Sequence, residues 1–209
     1  MFQIMKKPVF IICLIFIGDV SYTQQLKLSV NAKVKAKNIT YDISNKFGQK
    51  NLLIKNISNK LDLRKQLYKP VNLSVAPDSN DNYSVKRAFR QVFSSGRIGQ
   101  LVPENAIFIT FYLNPEGNIL EVRFSLPDNT TLTAEELEKL EIALKQNVKF
   151  KLTAPDLEKG DFYEIFQNFK YSSLLKYLEE IGVARPKVHS SDTQQTILVS
   201  SMYQAVIQR

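Results

Sequence analysis

From Leu26 to Lys37 (LKLSVNAKVKAK) apolar and polar residues alternate without a break. Leu26, Leu28, Val30, Ala32, Val34 and Ala36 fall on one side. Lys27, Ser29, Asn31, Lys33, Lys35 and Lys37 fall on the other, which is the period of a half-buried strand. Its outer side is cationic, a device that also guards a sheet edge. Further on, Leu53, Ile54, Ile57, Leu61 and Leu67 fit a loose helical stripe that Pro70 would close. Val71 to Val75 alternates again as a short strand, and the turn-forming run APDSNDN follows. Ser84 stands where a helix cap is expected, ahead of Val85, Ala88, Phe89, Val92 and Phe93, whose spacing makes one buried stripe. Gly96 is the expected stop. Lys86, Arg87 and Arg90 fall on the exposed side of that helix.

Two strands come next, 107–113 (IFITFYL) and 119–126 (ILEVRFSL), joined by the hairpin signal NPEGN with Gly117. In the second, Leu120, Val122, Phe124 and Leu126 share one face and Glu121, Arg123 and Ser125 the other. Thr133 and Glu136 form a T-x-x-E capping box, and Leu132 is placed to staple onto Leu137. The helix that follows has Leu137, Leu140, Leu144 and Val148 as its buried stripe, leaving Glu135, Glu138, Glu141 and Lys145 to water. Val148, Phe150 and Leu152 return to alternation before Pro155. The aromatic run FYEIFQNFKY, residues 162–171, reads as a strand, and 173–181 (SLLKYLEEI) as a short helix closed by Gly182. Residues 194–208 offer one further element.

This succession predicts an α+β fold in two layers, with helices packed on one face of a sheet. The order over 71–171 is β-α-β-β-α-β, with an extra N-terminal strand and a C-terminal helix. The chain divides into 1–23, a leader; 24–70, a basic N-terminal segment with a strand and a loosely patterned helix; 71–171, the α+β unit; and 172–209, the C-terminal helix and tail. Within the α+β unit, IFITFYLNPEGNILEVRF, a capped leucine-bearing helix and VKFKLTAP together resemble the C-terminal domain of TonB-type proteins. Asn114, Gly117, Leu132, Phe150 and Pro155 occupy comparable places. The resemblance implies the fold, a Gram-negative envelope setting and peptide binding by strand addition. It does not imply energy transduction, because the Tyr-Pro of that family, its membrane anchor and its proline-rich spacer have no counterpart here.

The leader is read from its charge and apolar run. Lys6 and Lys7 precede VFIICLIFI (9–17), which is long enough for a signal peptide and too short for a spanning helix of roughly 20 residues. Ser21 and Thr23 supply small side chains for a cut between Thr23 and Gln24. Ile12 before Cys13 is too bulky for lipoprotein processing. Since Cys13 is the one cysteine, the exported chain has neither disulfides nor thiolate ligands. It is expected in the periplasm or outside the cell, with no transmembrane segment once the leader is gone.

Charge is uneven. Residues 24–100 hold 15 Lys and Arg against 4 Asp and Glu, whereas 101–209 hold 11 against 15. Such asymmetry points to a basic face, with Lys33, Lys35, Lys37, Lys86, Arg87 and Arg90 as its candidates, meeting an anionic surface or an acidic partner rather than nucleic acid. Chemistry is sparse. His189 is the one histidine, in a polar stretch with no nucleophile elbow nearby. Histidine–cysteine zinc sites are excluded by count, and no glycine-rich loop cradles a phosphate. No catalytic residue, metal ligand or cofactor is assigned. The expectation is a non-enzymatic envelope protein that binds a protein or peptide through a sheet edge or its basic face. The competing class is a secreted hydrolase of polysaccharide, which needs two acidic groups facing each other in a deep cleft, with Glu116, Glu121 and Glu164 as candidates. The aromatic cluster Phe162, Tyr163, Phe166, Phe169 and Tyr171 supplies mostly core, with a minority free to line a groove.

Overall fold

The computed structural model describes residues 28–45, 50–66, 68–70, 73–77 and 83–182. The leader, its cleavage site at Thr23 and Gln24, His189 and the segment 194–208 lie outside the described residues. In chain order the elements are β1 (Ala32–Lys35), β2 (Thr40–Asn45), β3 (Asn51–Asn56), β4 (Ser74–Pro77), α1 (Tyr83–Val92), α2 (Ser95–Leu101), β5 (Ala106–Leu113), β6 (Ile119–Pro127), α3 (Ala134–Asn147), β7 (Phe150–Thr153), β8 (Tyr163–Lys170) and α4 (Tyr171–Gly182). The fold is α+β. Six strands form one sheet in the order β1-β2-β3-β6-β5-β8, and β4 pairs with β7 in a second, two-stranded sheet. Every pairing is antiparallel.

Strand alternation sorts the large sheet into two faces. Tyr41, Ile43, Leu52, Ile54, Ile109, Phe111, Val122 and Phe124 turn inward, and Val85, Phe89, Ile98, Leu101, Leu137, Leu140, Leu144, Leu174 and Leu178 of the four helices close over them in one core. Burial of this apolar surface, at about 25 cal/mol per Å², is what holds the two layers together. The capping box at Thr133 forms as its spacing demands: the Thr133 hydroxyl accepts from the Glu136 N–H and the Glu136 carboxylate accepts from the Thr133 N–H.

Several expectations are corrected. The stripe is not a helix over Leu53–Ile57: residues 51–56 are strand β3, because Leu52 and Ile54 enter the core while Leu53 and Lys55 face away, and Leu67 lies outside the described residues. A single 3₁₀ turn follows at Leu61–Leu63. The basic N-terminal segment therefore belongs to the main sheet, with β3 hydrogen-bonded to β6. Among the described residues of the alternating run only 32–35 is strand, since Asn31 takes a left-handed conformation; Leu26 and Lys27 lie outside the described residues. Gly96 does not stop α1; it lies inside α2, whose cap is Ser94. A register shift at Tyr112/Leu113 pairs Leu113 with Ile119, so that Ile119, at 7% exposure, lies inside and Leu120, at 41%, lies outside. Finally, Glu138 and Glu141 do not face water. They are 3% and 1% exposed, because the β1–β2 hairpin packs over that side of α3.

Candidate functional site: the open sheet face and its edge strand

Among the described residues no helix covers the other face of the large sheet. From β1 to β8 it presents Lys33 and Lys35; Thr40, Asp42 and Ser44; Leu53 and Lys55; Glu121, Arg123 and Ser125; Phe108, Thr110 and Tyr112; and Glu164, Phe166, Asn168 and Lys170, as the strand registers dictate. The stretch after β3 straps one end of this face. The Asn59 side-chain amide donates to the Val122 carbonyl at 2.7 Å, and the Lys60 and Leu61 N–H groups both donate to the Glu121 carboxylate. Lys55 pairs with Asp62 at 2.9 Å and Arg64 with Asp161 at 2.7 Å. Beneath the strap, Leu61, Tyr112 and Phe162 form a small apolar cluster of their own.

At the margin of the strap, the Arg123 guanidinium lies 5.8 Å from the centre of the Tyr112 ring and pairs with Glu164 at 3.2 Å. Burial raises the Tyr112 pKa; the Arg123 charge opposes the rise, and Glu164, Asp62 and Glu121 add to it. Beyond the strap the face is open among the described residues. Phe166, 63% exposed, stacks on Phe108 with ring centres 5.5 Å apart and planes 15° from parallel.

Strand β8 is one border of the sheet. The Tyr171 N–H donates to the Asn105 carbonyl, continuing the β5–β8 register by one residue. Antiparallel pairing alternates the direction of backbone polar groups, so the odd-numbered residues of β8 point theirs at β5. Glu164, Phe166, Asn168 and Lys170 therefore point their N–H and C=O groups outward. Among the described residues no strand pairs with that border. The opposite border, β1, is four residues long and carries two lysines.

The six predicted cations do not share a surface. Lys33 and Lys35 stand on the open face of β1, where Lys33 is directly opposite Asp42. Lys86, Arg87 and Arg90 belong to α1, in the helical layer across the sheet, and the Lys86 ammonium sits 5.6 Å from the Tyr177 ring centre. Lys37 lies at the β1–β2 turn, on a cavity of about 360 Å³ lined with Asn38, Glu135, Glu138, Lys139 and Ile142.

That cavity brings two acids together, but one is committed to the fold. Both Glu138 oxygens accept from the Asn38 N–H at 3.0 Å, and the Asn38 side-chain amide adds a bond of 2.8 Å. Burial alone would raise the pKa of Glu138. The N–H groups of Asn38, Ile39 and Lys37 outweigh it and hold the carboxyl below its ordinary value, the reverse of what a general acid requires. Among the other candidate carboxylates, Glu121 clamps the strap and Glu164 pairs with Arg123. Among the described residues no group of acidic or histidine side chains is placed to hold a metal ion. The edge and its stacked aromatic pair were legible only as an aromatic cluster, because pairing, not residue type, decides which strand lies at a border.

Among the described residues no helix is long and apolar enough to cross a membrane. No protein-family model matches the sequence, and comparison with curated proteins finds no match. Among solved structures, the chain is similar in fold to a DUF5043 family protein from Bacteroides uniformis, with a TM-score of 0.56 and 18% identity over 70% of this chain and 95% of that one.

Proposed function

We propose that this is an exported, non-enzymatic binding module of the Gram-negative envelope, and that its contact surface is the β8 border with the adjoining open face. The observation that carries the reading is the eight-residue border strand itself, with four residues pointing backbone donors and acceptors outward and Phe166 exposed beside them. A strand added there gains main-chain hydrogen bonds along its length, and the Phe108–Phe166 stack offers a side-chain contact for selectivity. The resemblance of 71–171 to TonB C-terminal domains, and the leader sequence, fit the same reading.

The test is selection of displayed random peptides on the protein immobilised sparsely enough to hold its copies apart. Extended peptides should be enriched. Their binding should be lost in Asn168→Pro, which removes an outward N–H without breaking the ladder to β5, and kept in Lys33→Glu on the far border. No enrichment, or binding indifferent to Asn168→Pro, would overturn the proposal.

A further inference from the structure

Resting on the border-strand reading above, we infer that the strand added at β8 is β8 of a second copy of this chain. The two run antiparallel about a two-fold axis at Gln167, so that the two six-stranded sheets continue as one. A two-fold axis perpendicular to the sheet keeps the open faces on the same side and makes the contact self-complementary.

Charge complementarity selects this partner and its register. With Gln167 on the axis, Glu164 stands directly opposite Lys170 of the second copy and Lys170 opposite its Glu164, giving two cross-strand ion pairs from one symmetric contact. Phe166 stands opposite Asn168, and the two Phe166 rings meet on the diagonal. Slipping the register by two residues, the smallest step that keeps the faces matched, removes both ion pairs: Glu164 then faces Asn168, or Lys170 faces Phe166. Lys170 makes no ion pair among the described residues, so its charge is unspent in the single chain.

A second, independent feature falls on the axis. The side-chain oxygen of Gln167 is buried and has no hydrogen-bond partner among the described residues. Since Gln167 points its backbone groups at β5, the two Gln167 residues meet as a non-hydrogen-bonded pair, with Cα atoms about 4.5 Å apart. Each side-chain amide then donates to the other's orphaned oxygen, which supplies the missing partner.

Sedimentation equilibrium of the purified full chain tests this. The wild type should dimerise. Lys170→Glu and Glu164→Lys each set like charges opposite one another twice, and each should weaken the dimer by about tenfold or more. Mixing these two variants should restore association, because the acidic row of one then faces the basic row of the other. That rescue excludes a folding defect as the cause of either loss. A monomeric wild type, or a dimer indifferent to both substitutions, would overturn the inference. A monomer that still captures displayed peptides at β8 would leave the border-strand reading standing without self-pairing. A monomer that captures none would remove both.

Discussion

Replacing Gly117 by alanine should be among the most damaging single-methyl changes in this protein. Gly117 sits in the β5–β6 turn with φ of +82°, a conformation that costs an L-residue about 1–2 kcal/mol. An added Cβ would also lie 1.7 Å from the Phe150 carbonyl oxygen and 2.8 Å from its carbon. Both are backbone atoms, so no side chain can swing aside, and the turn must part from β7. Parting breaks the Phe150 N–H to Gly117 C=O bond of 2.9 Å, worth about 1 kcal/mol net. It also loosens Phe150, which is buried 5.1 Å from the Phe111 ring centre. The sum is roughly 3 kcal/mol, a large share of the 5–15 kcal/mol typical of a folded domain. Urea unfolding followed by circular dichroism should show a lower midpoint at unchanged slope. Gly99→Ala is the control: it is a helical position with nothing within 4 Å of the new methyl, and it should stabilise by about 0.5–1 kcal/mol. If the two variants unfold at the same midpoint, the close approach of the turn to β7 is wrong.

Three further outcomes follow from the buried polar groups. Glu138 and Glu136 have folded pKa values below the ordinary 4.5, so the stability they add is full above the unfolded-state value and is lost as pH falls through the folded one. Melting temperature should thus drop with acid more steeply in the wild type than in Glu138→Gln, and parallel curves would contradict the hairpin clamp. Arg97 grips Glu136 through two bonds of 2.7 and 3.0 Å and also donates to the Thr131 carbonyl, so Arg97→Ala should cost about 2–3 kcal/mol. A double-mutant cycle with Glu136→Ala showing no coupling would refute that contact. Burial lifts the phenols of Tyr41, Tyr112 and Tyr171 well above their ordinary 10.0, so the folded chain keeps these protons while the unfolded chain releases them. Stability should fall as pH rises past 10, and phenolate absorbance from these three should appear together with unfolding rather than before it.

What the chain reveals before folding depends on how local the signal is. The helix after Thr133 and the NPEGN hairpin are written within a few residues, and both form where the pattern places them. Strands β2 and β3 are six residues each with Asn at their ends, and β3 is stabilised by pairing with β6 far along the chain, so Leu53 and Leu61 could be fitted to a helical period that tertiary contacts override. Glu138 and Glu141 show the same limit from the other side. Helical periodicity marks them as the wet face of α3, yet the Asn38 turn and Tyr41 bury them by supplying hydrogen bonds from another element. At the candidate site, Phe166 was visible as one aromatic among five; its place on a border strand beside Phe108 follows only from the order of strands.

The pairing of β3 with β6 sets an order of events for a chain that emerges N-terminus first. The β1–β2–β3 meander can close on itself early, but residues 51–55 must await residues 123–127 before that side of β3 is filled. The helices that complete the core around Leu52 and Ile54, α1 to α4, all lie later in the chain than β3, and α3 and α4 later than β6. The sheet is therefore sealed from its middle, and late: β6 joins the early meander to the later hairpin in a single step of high contact order. A chain built this way stays open while it is being made, and reaches its final form only after β6 and the elements behind it, α3, β8 and α4, have arrived.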